Sequence, residues 1–426
     1  MKKLKVHEKK RYLCWEDGSP FYYLGDTAWE MFHRLNREEI RYYLDIRASQ
    51  EFSVIQIAAL AEFDGLGEPN AYGRLPFKVK EGVPDLSGPD DEGYSYWKHI
   101  DWAVKEMGEK NLIAGILPTW GDKFNKKWGV GPEVFTPENA FRYGVWLGQR
   151  YQSVWNIIWI LGGDRPLESK VHEEIVDAMA RGIKSTGDCH LMTYHPCGET
   201  SSVDFVSGKD YIDFHMIQSG HGLGGLESYR LLGRTRDTEK KPFLNGEPRY
   251  EDHPACFKVE NEYYWNAQDV RQNAYWDMME GTCGHTYGNH CIWSFNRKKT
   301  DYFPYTWEEV LFHEGAEQIR YLKKLRLSRD YFSFRPAQEL IAQEVLPPAY
   351  QCGGKGNGYA YIYTPYGLPI EANLNILEWK GVKLSWYNPR TGEEMLENIL
   401  PAGKCLLVPP SSGKGQDWIA VLTEAW

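Results

Sequence analysis

The 426-residue sequence has no apolar run of 18 residues, which excludes a membrane-spanning helix of ordinary length. It contains no Cys-x-x-Cys pair, no His-Glu-x-x-His and no paired Cys/His cluster, so no dedicated metal site and no cofactor are expected. The eight cysteines, scattered from Cys14 to Cys405, read as reduced and mostly buried thiols rather than a disulfide framework. Positive charge is in deficit. The 49 Lys and Arg against 59 Asp and Glu leave −10, which argues against nucleic acid or an anionic membrane surface as a partner. No apolar stretch follows the basic start Met1-Lys-Lys-Leu-Lys5, so no signal peptide is expected and the reading is cytoplasmic. Internal repeats and long linkers are also missing. With 42% hydrophobic and 25% charged residues, wholesale disorder is excluded.

What the chain has in excess is aromatic side chains, 15% of residues with 17 Trp. Rings stack on the C–H faces of sugars, so the excess favours a carbohydrate partner. Along the chain, continuous apolar runs alternate with segments of helical period, the pattern of a parallel sheet with crossover helices. The runs are Phe21–Leu24, Ser53–Ala59, Leu112–Leu117, Asn156–Leu161, Cys189–Tyr194, Asp213–Ile217 and Pro242–Asn245, with an eighth between His285 and Phe295. Between them, Asn36-Arg-Glu-Glu39 reads as an N-cap with acids in the first turn. Trp97, Ile100, Val104 and Met107 then share a helix face, as do Phe141, Val145 and Gly148, and Val171, Ile175, Met179 and Ile183. Residues 60–93 read as a long Gly/Pro/Asp-rich loop. Eight strand-then-helix units predict an α/β fold, a (β/α)8 TIM barrel over residues 1–335. A doubly wound open sheet is the rival, but Gly25-Asp-Thr-Ala-Trp29 is not the Gly-rich phosphate loop it would carry. Beyond Arg335 short strands separated by Pro/Gly turns predict a small antiparallel β-sandwich over residues 336–426.

In a parallel barrel the active site lies at the C-terminal ends of the strands. The residues there are polar and aromatic: Asp26 and Trp29, Gln56, Trp120, Asp164, Tyr194 and His195, Gln218 and His221, Glu247 with Tyr250 and Glu251, and Tyr287 with Trp293. Two carboxylates stand out, Asp164 after Gly162-Gly163 and Glu247 in Asn245-Gly-Glu-Pro248. A carboxyl pair rising from strands four and seven suits glycosidic bond cleavage, in which one carboxylic acid protonates the leaving oxygen while the other carboxylate attacks the anomeric carbon. The remaining twelve residues are the expected substrate contacts. Structural readings compete: Asp164 as a helix N-cap, Glu247 paired with Arg249, and His195, His215, His221, His285 and His290 as hydrogen-bonded scaffold. Two other functional readings are a non-catalytic carbohydrate-binding protein and a metal-dependent hydrolase using His195, His215 and Asp164.

The stretches Gly25-Asp-Thr-Ala-Trp29, Leu161-Gly-Gly-Asp164, Tyr194-His-Pro-Cys-Gly198, Gln218-Ser-Gly-His221, Glu247-Pro-Arg-Tyr-Glu251 and Tyr287-Gly288, with Trp386–Gly392 and Pro409–Gly413 near the end, occur in this order. In these the chain resembles the apiosidase-like glycoside hydrolases (glycoside hydrolase family 140), whose catalytic barrel is followed by a β-sandwich labelled for collagen binding. The resemblance implies a retaining mechanism with Asp164 as acid/base and Glu247 as nucleophile, acting on a pectic, apiose-containing or related plant glycan. Nothing in residues 336–426 reads as collagen recognition, and a structural cap on the barrel is expected there.

Overall fold

The computed structural model describes residues 3–81, 83–222 and 224–425. Its centre is one curled sheet of eight parallel strands: β1 Tyr23–Thr27, β2 Val54–Ala58, β3 Ile113–Leu117, β4 Ile157–Gly162, β5 Met192–His195, β6 His215–Gln218, β7 Phe243–Glu247 and β8 Gly284–Tyr287. The hydrogen-bonded order is β5-β4-β3-β2-β1-β8-β7-β6, with Thr200–Ser201 added antiparallel beside β6. The two ends of the sheet, β5 and β6, come together. The Asp213 N–H donates to Met192 O at 2.8 Å, and Thr193 Oγ1 donates to Phe214 O at 2.6 Å. The strands are buried along their whole length, which is why they read as unbroken apolar runs.

Helices cover the outside: α1 Arg37–Ser49, α2 Tyr96–Glu109, α3 Pro137–Tyr151, α4 Lys170–Lys184, α5 Ser228–Thr238 and α6 Ala267–Met279. Asn36 caps α1 as expected, its side chain accepting from the Glu38 and Glu39 N–H groups while the Glu39 carboxylate receives the Asn36 N–H. Of the residues expected to share a face of α3, Gly148 is buried, Val145 is half-buried and Phe141 is exposed. Ala140, Tyr143, Gly144, Leu147, Gly148 and Tyr151 face inward. Within this face Gly144 and Gly148 set how closely the helices pack, because Gly144 meets Met179, Gly182 and Ile183 of α4 and Gly148 meets Ile183 and Thr186 with no room for a Cβ. The 60–93 loop holds a β-hairpin, Phe77–Lys80 with Val83–Pro89, that the sequence did not suggest.

Two antiparallel sheets follow the curled sheet. A tyrosine-rich face, including Tyr359, Tyr361 and Tyr363, joins the main core. Trp276 of α6 donates to Tyr350 O at 2.9 Å, and Arg271 of α6 makes a two-pronged contact with buried Asp417 at 2.9 and 3.1 Å. All eight cysteines are free thiols, and five of them are buried.

Candidate active site

Parallel strands end on one side, and there the strand ends and the loops after them enclose a cavity of about 510 Å³. Asp164, Glu247, Trp29, Trp120, Gln218, His221, Tyr250 and Trp293 all line it. Eight of the fourteen expected site residues therefore converge.

Asp164 follows β4 through Gly162 and Gly163, at φ +88° and +111°, and itself takes φ +55°. A Cβ on Gly162 would strike the His195 carbonyl, so the glycines are required both for their conformation and for the close passage of the chains. Asp164 Oδ2 accepts from Trp128 Nε1 at 3.0 Å and from Arg165 Nη1 at 2.9 Å. Burial raises the Asp164 pKa, and the negative charge of Glu247 raises it further, outweighing Arg165.

Glu247 ends β7 and lines the same cavity as Asp164. Its Oε1 lies 3.1 Å from His221 Nε2 and its Oε2 lies 3.1 Å from His195 Nε2. Burial alone would push Glu247 up, but these two imidazoles hold it well below the usual carboxylate range. Tyr250 receives the Trp29 indole N–H at 3.0 Å, and burial together with Glu247 keeps the proton on its hydroxyl. The rings of Trp29 and Trp120 pack at 5.1 Å to form one wall. Another part of the lining stacks His221 on His253 at 4.2 Å, with His290 against His253 at 4.4 Å. Burial, with the charge of neighbouring imidazoles, depresses His253 well below the usual histidine range and His290 to about 3, so these two rings are uncharged at neutral pH. Trp120 Nε1, Gln218 Oε1, His221 Nδ1 and His290 Nε2 are buried yet have no hydrogen-bond partner among the described residues. Such atoms are left to bond a ligand or ordered water.

Six expected substrate contacts lie elsewhere. Asp26 is fully buried in an ion pair with Arg47 Nε at 2.5 Å and accepts the Tyr43 hydroxyl at 2.6 Å. Gln56 receives Tyr23 OH at 2.9 Å and donates to Gly246 O at 2.9 Å, below the cavity. Tyr194 donates to Arg165 O at 3.3 Å, while Glu251 accepts from Tyr287 OH at 2.6 Å and the Gly315 N–H at 3.0 Å. The polar groups of Asp26, Gln56, Tyr194, Glu251 and Tyr287 are spent on the scaffold, and the expectation that these residues touch sugar is corrected. His195 reaches the site through Glu247, with its ring edge-on to Trp29 at 5.2 Å. His215 bonds Ser202 Oγ at 2.7 Å and Glu239 at 3.1 Å, away from Asp164. Among the described residues no group of three or more His, Cys, Asp or Glu could hold a metal ion.

The sequence reading missed Glu62, Trp128, Glu199, His253, Phe257 and Tyr302, all on loops that return to the cavity. Glu62 is bound by Arg165 Nη2 at 2.9 Å, and burial raises it to about 7 against the pull of that guanidinium.

Residues 7–333 match the family model described as "Apiosidase-like, catalytic domain", and residues 336–423 match one named for collagen binding in a collagenase. No curated protein matches the chain. Among solved structures, a glycoside hydrolase family 5 protein from Bacteroides vulgatus ATCC 8482 is 29% identical, covering 99% of this chain and 93% of its own at a TM-score of 0.90. A second, titled simply glycoside hydrolase, is also 29% identical, covering 99% of this chain and 97% of its own at a TM-score of 0.90. An endo-1,4-beta-mannanase from Rhizomucor miehei shares the fold alone, at 12% identity and a TM-score of 0.51 over 76% of this chain and 99% of its own. With its catalytic stretch matched from residue 7 to residue 333 and two full-length structural relatives that are glycoside hydrolases, this chain belongs to the apiosidase-like family and is a glycoside hydrolase.

Proposed function

We propose that the chain is a retaining glycoside hydrolase on a closed (β/α)8 barrel, with Asp164 as acid/base and Glu247 as nucleophile. The observation that carries this reading is a pair of carboxyl groups in one cavity driven toward opposite protonation states. Two imidazoles hold Glu247 ionised, whereas burial and Glu247 itself favour the proton on Asp164. In the first step the Glu247 carboxylate forms a bond to the anomeric carbon. The glycosidic C–O electron pair passes to the leaving oxygen, which takes the Asp164 proton. Water then attacks the anomeric carbon and gives its proton to Asp164, releasing Glu247.

The substrate proposed is a pectic, apiose-containing or related plant glycan or glycoside. Four carboxylates line the cavity, Glu62, Asp164, Glu199 and Glu247, with no Lys or Arg among its described lining residues. With no Lys or Arg in that described lining and Glu247 held ionised, it suits an uncharged sugar at the cleaved position and offers a uronate no such partner. The unpartnered Trp120, Gln218, His221 and His290 atoms supply hydroxyl contacts.

The test is a screen of aryl glycosides and pectic oligosaccharides, with the anomeric configuration of the first-formed product read by NMR. Retention is expected, with Glu247→Gln and Asp164→Asn each lowering turnover on unactivated glycosides at least about a hundredfold. Inversion would overturn the nucleophile assignment. Binding of intact oligosaccharide without cleavage would overturn the catalytic reading of this cavity.

A further inference from the structure

The loop after β3, residues 121–136, carries the most exposed ring of the cavity, Trp128, at 60% exposure. The loop is tied down. Lys123 O accepts from the Val134 N–H at 2.8 Å, and Asn125 Nδ2 donates to Pro166 O at 2.9 Å. Buried Asp122 pairs with Lys123 at 2.7 Å and accepts the Gly131 N–H at 2.7 Å. Gly129, next to Trp128, passes so close to Asp122 and Arg165 that a Cβ there would collide with both. The indole is therefore held in place before any ligand arrives.

Arg165 is fully buried, and its guanidinium lies 4.6 Å from the centre of the Trp128 ring, covering one face. It also bridges Asp164 Oδ2 and Glu62 Oε1, each at 2.9 Å. Trp128 Nε1 donates to that same Asp164 oxygen at 3.0 Å. Oδ2 thus accepts two N–H donors, while Oδ1 has no partner among the described residues. A proton on Oδ2 would confront both donors, whereas a proton on Oδ1 is free to leave. The exposed ring lines the cavity, and a ring bonded to the acid lies beside the group that the acid protonates.

We infer that Trp128, backed by Arg165, is a positioning residue that keeps the transferable proton on Oδ1 of Asp164 and a subsite on which the departing group stacks. This rests on the acid role proposed for Asp164. During cleavage the Oδ1–H bond breaks as an O–H bond forms on the leaving oxygen, and the carboxylate left behind is stabilised by the Trp128 and Arg165 donors. The subsite takes a leaving group with a flat apolar face, a pyranose or an aryl aglycone.

The experiment compares Trp128→Phe and Trp128→Leu with the wild-type protein on glycosides of one sugar, with leaving groups from 2,4-dinitrophenol to a second sugar. Trp128→Phe keeps a ring but loses the N–H. Its kcat is expected to fall about tenfold on the disaccharide and to stay within about twofold on the dinitrophenyl glycoside, which needs no acid. Its alkaline limb is expected to move up by on the order of one pH unit, because the lost donor favoured the ionised carboxyl. Trp128→Leu is expected in addition to raise KM for the disaccharide about threefold to tenfold. Equal losses on both substrates, an unmoved alkaline limb, or an unchanged KM in Trp128→Leu would overturn the inference. Asp164→Asn, run alongside, separates the two claims. If Asp164→Asn itself does not discriminate between leaving groups, the acid assignment fails. If it does and Trp128→Phe does not, only the role of Trp128 fails.

Discussion

Replacing Asp26 with Asn discriminates between a substrate contact at the end of β1 and a scaffold ion pair. Asp26 Oδ2 accepts from Arg47 Nε and Tyr43 OH, and Oδ1 accepts from the Thr27 N–H at 2.9 Å. An amide offers one acceptor oxygen where the carboxylate offers two. Whichever way the new side-chain amide turned, its NH2 would face a donor, either the Thr27 N–H or the Arg47–Tyr43 pair. Arg47 is fully buried and among the described residues keeps only the hydrogen bonds to Gln50 Oε1 at 2.6 Å and Leu311 O at 3.0 Å. Breaking a buried pair by removing one charge costs about 3–5 kcal/mol. At about 2 °C per kcal/mol for a large domain, the thermal midpoint should fall by roughly 6–10 °C. Circular dichroism melts measure that shift, and initial rates well below the midpoint should give KM within about twofold of wild type. An unchanged midpoint with KM raised tenfold would refute the assignment of Asp26 to the scaffold.

The pH profile of kcat/KM should be bell-shaped, because the proposed roles need Glu247 ionised and Asp164 protonated. Activity is lost on the acid side as pH falls through the depressed pKa of Glu247, and on the alkaline side as pH rises through the raised pKa of Asp164. His195→Phe removes the imidazole 3.1 Å from Glu247 Oε2 and should move the acid limb up by on the order of one pH unit, with a smaller upward move of the alkaline limb because the same imidazole lowers Asp164; an unmoved acid limb would count against this account of Glu247. Asp417→Ala leaves Arg271, only 3% exposed, without its charged partner, and should cost about 3–5 kcal/mol in urea unfolding while leaving KM unchanged. A loss below about 1 kcal/mol would mean that this contact does not hold the C-terminal sheets to α6.

Much of the layering was legible because buried parallel strands need unbroken apolar runs and helices announce their caps. Ile157–Gly162 and Asn36 lie within a residue or two of where the pattern placed them. The pair Asp164 and Glu247 was legible for a related reason, since both stand where an apolar run stops. Pattern failed where one residue of register decides the outcome. Side chains alternate across a strand, so position near its end does not tell whether a polar group meets the cavity, as Gln218 does, or the helix layer, as Asp26 does. It failed again on α3, where Phe141 is exposed and Gly144 and Gly148 pass against the next helix with no room for a Cβ.

The order of apolar runs and breaks thus determined by itself which segments would line up side by side and which acids would stand at their ends. Only the folded chain decided what surrounds those acids. Trp128, Arg165 and Glu62 gather on Asp164 and two imidazoles gather on Glu247 from sites far apart in the sequence, and proton affinity follows from burial and neighbouring charge, which exist only once the loops have closed.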